Sequence, residues 1–328
     1  MIVSTVREAE ALEPLVRAGT VRDILYGVPL PPSAAPRLAA LRARHPALAV
    51  ALLVDHAAQL PRAGAWRVFV KLDNGYARAG VVPGSPALAA LLAAVAAADG
   101  IALAGFYSHA GHAYASASAA ESLGFLAQEL DTVLAGAAGA PAGLVLSVGA
   151  TPTALAADPA IADMVARIQE RWVLELHAGV YTTLDLQQLA PRPNGLGVED
   201  IALTIMGEVA SVYPERGEVL VAFGSTALGR EPPGASGAYP GWALVTGWEE
   251  GKAWAGERGG WVVGRISQEH AVLTRDEDFA GEAMQLEVGQ KIRVWPQHSC
   301  IAGNGHGWYF VTEDGETVSD VYVRWRGW

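Results

Sequence analysis

The sequence is poor in cysteine, in basic residues and in long apolar runs. Its single cysteine, Cys300, cannot form a disulfide within the chain, which favours a reducing compartment and leads us to expect a cytoplasmic protein. Lysine and arginine number 23 against 34 acidic residues, and a net charge of −11 excludes the basic surface that duplex binding requires. The Ala/Leu-rich run at 87–98 ends at Asp99 and is too short to cross a bilayer. We therefore expect neither a nucleic-acid nor a membrane partner.

What is abundant is apolar residues. Hydrophobic residues make up 51% of the 328 residues and charged residues only 17%, which predicts a globular chain with a large core. A chain of this length suffices for one large domain or for two.

The first part of the chain alternates short apolar runs with Ala/Leu/Arg-rich helical segments, which predicts βα units and a parallel sheet. The predicted strands are Ile2–Val6, Asp23–Val28, Ala47–Val54, Arg67–Asp73, Ile101–His109, Gly143–Gly149 and Trp172–Tyr181. The predicted helices are Glu8–Ala18, Pro36–Arg44, Ser85–Ala98, Ala119–Ala135 and Ala160–Arg171.

The strand count leaves two architectures open. A closed (β/α)₈ barrel needs eight strands, and seven are visible. The chain is either an open seven-stranded sheet or a barrel that lacks its first βα unit, since Met1 lies directly before the first strand.

After residue 190 the composition changes. Residues 191–197 are typical of a linker, so the predicted domains are 1–190 and 198–328. The second is expected to be an antiparallel β-domain, because Val-, Trp- and Tyr-rich runs alternate there with Gly and Pro turns. Its predicted strands are Ile201–Tyr213, Glu218–Ala222, Trp242–Gly247, Gly260–Ser267, Gln290–Trp295, Gly307–Thr312 and Val318–Trp325.

His298 and Cys300 form a candidate metal pair. If the preceding apolar run continues as a strand, the two side chains project from the same face, because side chains alternate along a strand. An imidazole and a thiolate suit Zn²⁺. A buried thiol beside a structural histidine is the other interpretation.

Polar and glycine-rich motifs follow the later strands of the first domain. In barrels the chemistry lies at the strand ends, and hydroxyl and backbone N–H groups in Gly/Thr loops can hold a phosphate. Each loop taken singly is also typical of an ordinary turn. The four motifs are Lys71–Gly80, Ser108–Tyr114, Ser147–Thr153 and Glu175–Thr183.

These four motifs, with Gln-His-Ser-Cys at 297–300, occur in the order found in a known family. The chain resembles the D-serine dehydratase and D-threonine aldolase group of alanine-racemase-like, fold type III enzymes, and most closely the zinc-dependent D-serine dehydratases. The resemblance covers essentially the whole chain. It implies a (β/α)₈ barrel followed by a β-domain, and a homodimer with its active site between the two domains.

The resemblance also implies pyridoxal phosphate, carried on a lysine near the end of the first barrel strand. The chain has three lysines, Lys71, Lys252 and Lys291, and none matches that position, so the Schiff-base lysine is expected to be absent. Lys71 occupies a supporting position in its motif. Covalent capture of the cofactor and fast removal of the Cα proton both depend on such a lysine.

The resemblance assigns roles to residues at the strand ends and in the β-domain. Arg78 would reach the phenolic oxygen of the cofactor or the substrate carboxylate, His109 would pack on the pyridine ring, and His177 would face the ring nitrogen. His298 and Cys300 would hold Zn²⁺, with open positions for water and for the substrate hydroxyl. The remaining predicted cofactor contacts are Tyr114, Gly149, Thr151, Gly179 and Tyr181.

The function implied is a pyridoxal-phosphate- and zinc-dependent ammonia-lyase that converts the small amino acid D-serine to pyruvate and ammonia. Two alternatives stay open. One is a D-threonine aldolase-like lyase, and the other is a non-catalytic protein that binds pyridoxal phosphate or a D-amino acid.

Overall fold

The structure is a computed structural model and describes residues 1–191, 195–248, 258–315 and 317–327. The chain divides into two compact units. The first comprises Met1–His112, Leu123–His177 and Trp325–Trp328, and the second comprises Ala113–Ser122 and Ala178–Arg324. The predicted domain boundaries at residues 190 and 198 stay a prediction. Lys252 lies outside the described residues.

The first unit contains a parallel sheet of seven strands whose spatial order follows the chain. All seven predicted strands are present. In the described part of the chain the two outer strands each pair on one side only, so the sheet is an open, half-barrel form of the predicted (β/α)₈ architecture. The strands are β1 (Ile2–Val3), β2 (Asp23–Pro29), β3 (Ala49–Val54), β4 (Trp66–Lys71), β5 (Ile101–Tyr107), β6 (Val145–Val148) and β7 (Val173–Leu176).

Helices connect these strands, and one predicted helix is divided. Instead of a single helix over 8–18, a first helix starts at a capping box between Thr5 and Glu8. A second helix then starts with Pro14 in its first turn, where the missing N–H of proline costs nothing. The helices are α1 (Val6–Ala11), α2 (Glu13–Arg17), α3 (Ala35–Arg44), α4 (Pro86–Ala97), α5 (Ala119–Gly136), α6 (Thr151–Leu155) and α7 (Ala162–Gln169).

Both faces of the sheet carry buried side chains. One face packs against fully buried helix leucines such as Leu38, Leu41 and Leu130. The other face holds a smaller cluster that includes Phe69 and Tyr107. This two-sided burial explains why the central strands are continuous apolar runs in the sequence.

The second unit contains a closed, antiparallel barrel of six strands in the order β10-β11-β12-β9-β8-β13. Its strands are β8 (Ile205–Tyr213), β9 (Glu218–Val221), β10 (Ala243–Gly247), β11 (Trp261–Ile266), β12 (Ala271–Arg275) and β13 (Lys291–Pro296). The strand β12 is missing from the sequence-based list. It follows β11 after a tight turn in which Ser267 N donates to His270 O. The two strands are therefore so close in sequence that their apolar residues were not divided into two strands.

A separate two-stranded sheet follows the barrel and pairs β14 (Trp308–Thr312) with β15 (Val318–Val323). Three short helices complete the second unit, α8 (Leu186–Leu189), α9 (Ser225–Leu228) and α10 (Ser299–Asn304). None of the helices in the described part of the chain combines the length and the apolar character that crossing a bilayer demands.

The structure corrects the expected geometry around Cys300. The strand β13 ends at Pro296 and α10 begins at Ser299, so His298 and Cys300 do not share one face of a strand. The prediction of strand alternation is wrong here, and the pair lies instead at the turn from strand to helix, with His298 as the N-cap residue.

Candidate active site at the strand ends

Polar residues and a glycine lie at or directly after the carboxyl ends of four neighbouring strands of the first unit, β4 to β7. Because the strands are parallel and adjacent, their carboxyl ends meet at one edge of the sheet. Lys71 is the last residue of β4, and His109, Gly149 and His177 follow β5, β6 and β7 within two residues. The sequence-predicted motifs are therefore gathered at a single edge.

Lys71 is the buried cation of this edge, with 6% of its surface exposed. Its Nζ lies 4.8 Å from the centroid of the Tyr107 ring. Burial, and next the positive charge of Arg78, lower the pKa of Lys71 to about 8. The ammonium group therefore exchanges its proton close to neutral pH.

His109 is held as a neutral ring. Its Nδ1 lies 2.7 Å from the carbonyl oxygen of Gly149. Because a carbonyl only accepts hydrogen bonds, Nδ1 carries the ring proton and Nε2 keeps a lone pair. Burial, followed by the positive charge of Lys71, lowers the pKa of His109 to about 4.

His177 is neutral as well, and its tautomer follows from its neighbours. Ser147 Oγ donates its only proton to Glu175 Oε1 at 2.6 Å. His177 Nδ1, 2.9 Å from the same Oγ, must then be the donor of that second bond. Burial, and next the electrostatic effect of the neighbouring His109, lower the pKa of His177 well below its usual value. Its Nε2 is buried, has no hydrogen-bond partner among the described residues and presents a lone pair.

Aromatic rings flank these histidines. The rings of His177 and Tyr107 are stacked with centroids 4.2 Å apart and planes 9° from parallel. The ring centroid of His109 lies 5.9 Å from that of His177. A second flat ring would meet the faces of aromatic rings here.

The loop after β6 combines a strained glycine with an unpaired hydroxyl. Gly149 has φ of 137°, and a Cβ atom at this position would lie 2.2 Å from His177 O. Thr151, two residues later, is fully buried, and its Oγ1 has no hydrogen-bond partner among the described residues. The Oγ of Ser108 is buried without a partner in the same way. Buried hydroxyls without partners are uncommon and indicate a place for a polar ligand.

Arg78 lies on an exposed turn after β4. Its guanidinium lies 5.0 Å from the centroid of the Tyr76 ring. The turn is stabilised by Asp73, whose Oδ1 accepts from the backbone N–H groups of Gly75 and Ala77, both at 3.0 Å. Arg78 thus contributes positive charge at the rim of the group that surrounds Lys71.

In the second unit, Asp185 organises the turn that carries the His298–Cys300 pair. Its Oδ2 accepts from Ser299 N and its Oδ1 from Gln188 N, both at 2.9 Å. Ser299 Oγ in turn donates to Leu184 O. The carboxyl group of Asp185 is fully buried, and burial raises its pKa.

Charges lie close to both members of the pair. Glu231 Oε2 is 3.7 Å from His298 Nδ1, within ion-pair distance but longer than a hydrogen bond. Desolvation, and next the negative charge of Asp185, raise the pKa of the Cys300 thiol. In the described ranges no group of three or more His, Cys, Asp and Glu side chains is arranged as a metal site, so a metal role for His298 and Cys300 stays a prediction.

The other predicted cofactor residues belong to the second unit. Tyr114 is half-buried in a short 3₁₀ turn, Gly111–Ala115. Gly179 is exposed, and Tyr181 is 55% exposed beside it. Their roles as cofactor contacts stay predictions.

Sequence reasoning missed one buried acid of this region, Glu129 in α5. It is fully buried and accepts hydrogen bonds from the loops after β5 and β6. A signal was present, because Glu129 is spaced three residues after Leu126 and four before Val133 on the apolar face of the helix. An acid on such a stripe indicates a specific partner.

Comparison with known families and proteins agrees with the motifs. The family "Alanine racemase, N-terminal domain" matches residues 1–167. The family "Putative serine dehydratase domain" matches residues 202–312. D-serine dehydratase of Schizosaccharomyces pombe is 34% identical, with 100% of this chain and 79% of the yeast protein covered. D-serine dehydratase of Saccharomyces cerevisiae is 33% identical, with coverage of 100% and 81%.

A solved structure supports the same relationship. D-threo-3-hydroxyaspartate dehydratase from Delftia sp. HT23 matches with a TM-score of 0.79 at 28% identity, over 100% of this chain and 84% of that protein. The same dehydratase is known in a metal-free form in which one cysteine is replaced by alanine, and as a variant of a histidine two residues earlier. That spacing equals the spacing of His298 and Cys300 in this chain.

Proposed function

Since the chain belongs to the D-serine dehydratase family, we propose that it is a pyridoxal-phosphate- and zinc-dependent lyase that removes ammonia from D-serine and leaves pyruvate. The observation that carries this proposal is the group at the ends of β4 to β7. Two neutral histidine rings, a lysine with a pKa of about 8 and the unpaired hydroxyl of Thr151 lie at one sheet edge.

The first unit fits pyridoxal phosphate. The buried hydroxyl of Thr151 needs an acceptor or a donor, and a phosphate oxygen supplies one. The loop at Gly149 leaves room that a side chain would fill. We propose that these two residues hold the phosphate and that Gly179, Tyr181 and Tyr114 add further contacts.

The histidines fit the ring of the cofactor. His177 Nε2 carries a lone pair and has no hydrogen-bond partner in the part of the chain that the structure describes, so it can accept a hydrogen bond from a protonated ring nitrogen. His109, also neutral, packs on the ring without adding charge, while Arg78 holds the phenolic oxygen or the substrate carboxylate.

The chemistry is divided between the two groups of residues. When bound, pyridoxal phosphate supplies an electron sink for the Cα carbanion, and zinc supplies a Lewis acid for the β-hydroxyl. The side chains of His298 and Cys300 hold the metal, and the negative charge of Glu231, 3.7 Å from His298 Nδ1, favours a cation there. Lys71, whose pKa is about 8, places a positive charge beside the reacting groups and can also release its proton near neutral pH.

The first test is product identity. The purified chain, incubated with pyridoxal phosphate, Zn²⁺ and D-serine, is expected to release pyruvate, followed with lactate dehydrogenase. D-threo-3-hydroxyaspartate is the second substrate to compare, because a relative of known structure is named for it. Glycine from D-threonine would instead support an aldolase, and cofactor binding without any product would support the non-catalytic alternative.

Reduction with borohydride tests whether any lysine of the chain binds the cofactor covalently. We expect slow turnover and no reduced cofactor adduct, because none of the three lysines occupies the position that the family uses. Peptide mapping by mass spectrometry after reduction gives the answer. An adduct on any of the three lysines would contradict the expectation and would identify the residue that binds the cofactor covalently.

Asp185 gives a prediction on metal affinity. In Asp185→Asn the side-chain amide nitrogen cannot accept a hydrogen bond, so Ser299 N or Gln188 N loses its partner. We expect zinc affinity to fall by about 10–100-fold, the usual effect of losing a group that supports metal ligands. Competition with a chromophoric chelator measures it.

Asp200→Asn is the matched control, because Asp200 also caps a backbone N–H, that of Gly197 at 2.8 Å, but in an exposed turn. It is expected to bind zinc like the unmodified protein. Equal zinc affinity in both variants would show that Asp185 does not position the pair.

A further inference from the structure

Glu129 is a carboxyl group buried in the middle of α5. Its neighbours on the helix, Leu126 and Leu130, are fully buried core residues. The carboxyl group receives hydrogen bonds from neutral groups, two backbone N–H groups and one hydroxyl. A buried acid is retained at such a position only when its oxygens are bonded, so its partners reveal what it does.

The partners of Glu129 lie on two different loops. Its Oε1 accepts from Ala110 N at 2.6 Å, in the loop after β5, and from Gly149 N at 3.3 Å, in the loop after β6. Its Oε2 lies 3.0 Å from Thr153 Oγ1. One side chain therefore ties together the loop that carries His109 and the loop that carries Thr151.

The tie extends to the ring of His109. The N–H of Gly149 points to Glu129, and the carbonyl oxygen of Gly149 accepts from His109 Nδ1 at 2.7 Å. Glu129 also holds Ala110, the residue next to His109. Both the backbone beside this histidine and the acceptor of its ring proton are thus fixed by the same carboxyl group.

The arrangement works in both charge states of Glu129. Burial raises the pKa of Glu129 to about 7, while the bonds from Ala110, Thr153 and Gly149 and the positive charge of Lys71 oppose the rise. Thr153 Oγ1 accepts from Ala150 N at 2.8 Å and lies 3.1 Å from Ala150 O. The Thr153 hydroxyl can donate to the ionised carboxylate, or accept from the protonated acid and turn its own proton to Ala150 O.

We propose that Glu129 is a positioning residue of the active site, whose carboxyl group brackets the loops after β5 and β6 and thereby fixes the tautomer of His109 and the place of the Thr151 hydroxyl. The proposal rests on the proposed function only for the identity of the ligand. The bracket itself is a property of the chain alone, and its test includes a readout on the chain alone.

Two substitutions separate the effect of the hydrogen bonds that Glu129 accepts from the effect of its charge. Glu129→Gln keeps an acceptor for Ala110 N and Gly149 N and donates to Thr153 Oγ1, as the protonated acid does. Glu129→Leu removes every acceptor. Thr132→Val is the control on the same helix, because the Thr132 hydroxyl donates to the helix carbonyl of Gln128 at 2.7 Å and not to Glu129.

The direct readout is the tautomer of His109, observed by long-range ¹⁵N–¹H correlation in the full chain labelled with ¹⁵N-histidine. The unmodified protein, Glu129→Gln and Thr132→Val are expected to show His109 protonated at Nδ1. Glu129→Leu is expected to lose that single tautomer. A structural role unconnected with His109 would leave the tautomer unchanged.

The second readout is the dissociation constant of pyridoxal phosphate. We expect it to rise by about tenfold in Glu129→Leu, because two buried N–H groups lose their acceptor, and to change by less than about twofold in Glu129→Gln. An unchanged tautomer and dissociation constant in Glu129→Leu would overturn the proposal. So would an equal loss in Glu129→Gln, which would assign the effect to charge.

Thr153→Val keeps the test decisive if Glu129→Leu does not fold. It removes the bond at Oε2 and the acceptor of Ala150 N, but leaves both bonds at Oε1 in place, so we expect weaker cofactor binding with the His109 tautomer retained. Unchanged cofactor binding in Thr153→Val would overturn the bracket. Loss of pyruvate formation with a normal tautomer in the unmodified protein would count against the proposed function and leave the bracket standing.

Discussion

Replacing Cys300 by alanine is expected to abolish zinc retention and to reduce pyruvate formation from D-serine by a factor of about 10²–10⁴, since a Lewis acid contributes several kcal/mol to the transition state. Cys300 is exposed at the start of α10, so its loss leaves the core intact. His298→Ala is expected to have the same effect, because the described structure offers no third ligand beside the pair. Zinc content by atomic absorption is the primary measurement, because it does not depend on loading of the cofactor.

Cys300→Asp is the informative partner of this variant. It keeps a metal ligand but exchanges soft sulfur for hard oxygen, so retention should shift from zinc towards manganese or magnesium. Normal zinc content in Cys300→Ala, or an unchanged metal preference in Cys300→Asp, would show that His298 and Cys300 do not bind the metal.

Gly149→Ala is expected to destabilise the first unit by about 3–5 kcal/mol, which combines an unfavourable positive φ with a backbone collision. The new Cβ atom would lie 2.2 Å from His177 O, and a backbone oxygen cannot move aside as the end of a side chain can. A loss of this size lowers the melting temperature by about 10 °C. Cofactor binding should weaken as well, because Gly149 accepts the ring proton of His109.

Gly84→Ala separates the two causes. Gly84 has a φ of 72°, but nothing lies within 4 Å of the position of its Cβ. It should cost only about 1 kcal/mol, the price of the left-handed conformation alone. Differential scanning calorimetry of both variants measures the difference. Equal melting temperatures would show that the loop of Gly149 moves freely, and that its contact with His177 O is not a constraint.

Periodicity and composition predicted the seven parallel strands and most helices because these elements are buried on a regular face. They failed where a tertiary contact decides the backbone. The apolar run before Cys300 resembles a strand throughout, but Asp185, 114 residues away in sequence, accepts from Ser299 N and starts a helix there. No local pattern contains that bond.

The candidate site shows the same limit. Strand ends are visible in the sequence, so the motifs around His109, Gly149 and His177 could be placed at one edge. The tautomer of His177 could not be predicted from the sequence, because it depends on the register that sets Ser147 opposite Glu175 in β6 and β7. A shift of one residue would point these side chains to opposite faces of the sheet.

The order of strands in the two units has a consequence for synthesis on the ribosome. In the first unit each strand pairs with the strand made just before it, so the sheet can grow while the chain emerges. The six-stranded barrel cannot, because β13 must arrive before β8 and β10 gain their common neighbour. Closure across so long a loop is the slow event in such topologies. The turn that carries His298 and Cys300 follows β13 directly and therefore takes shape among the last parts of the chain.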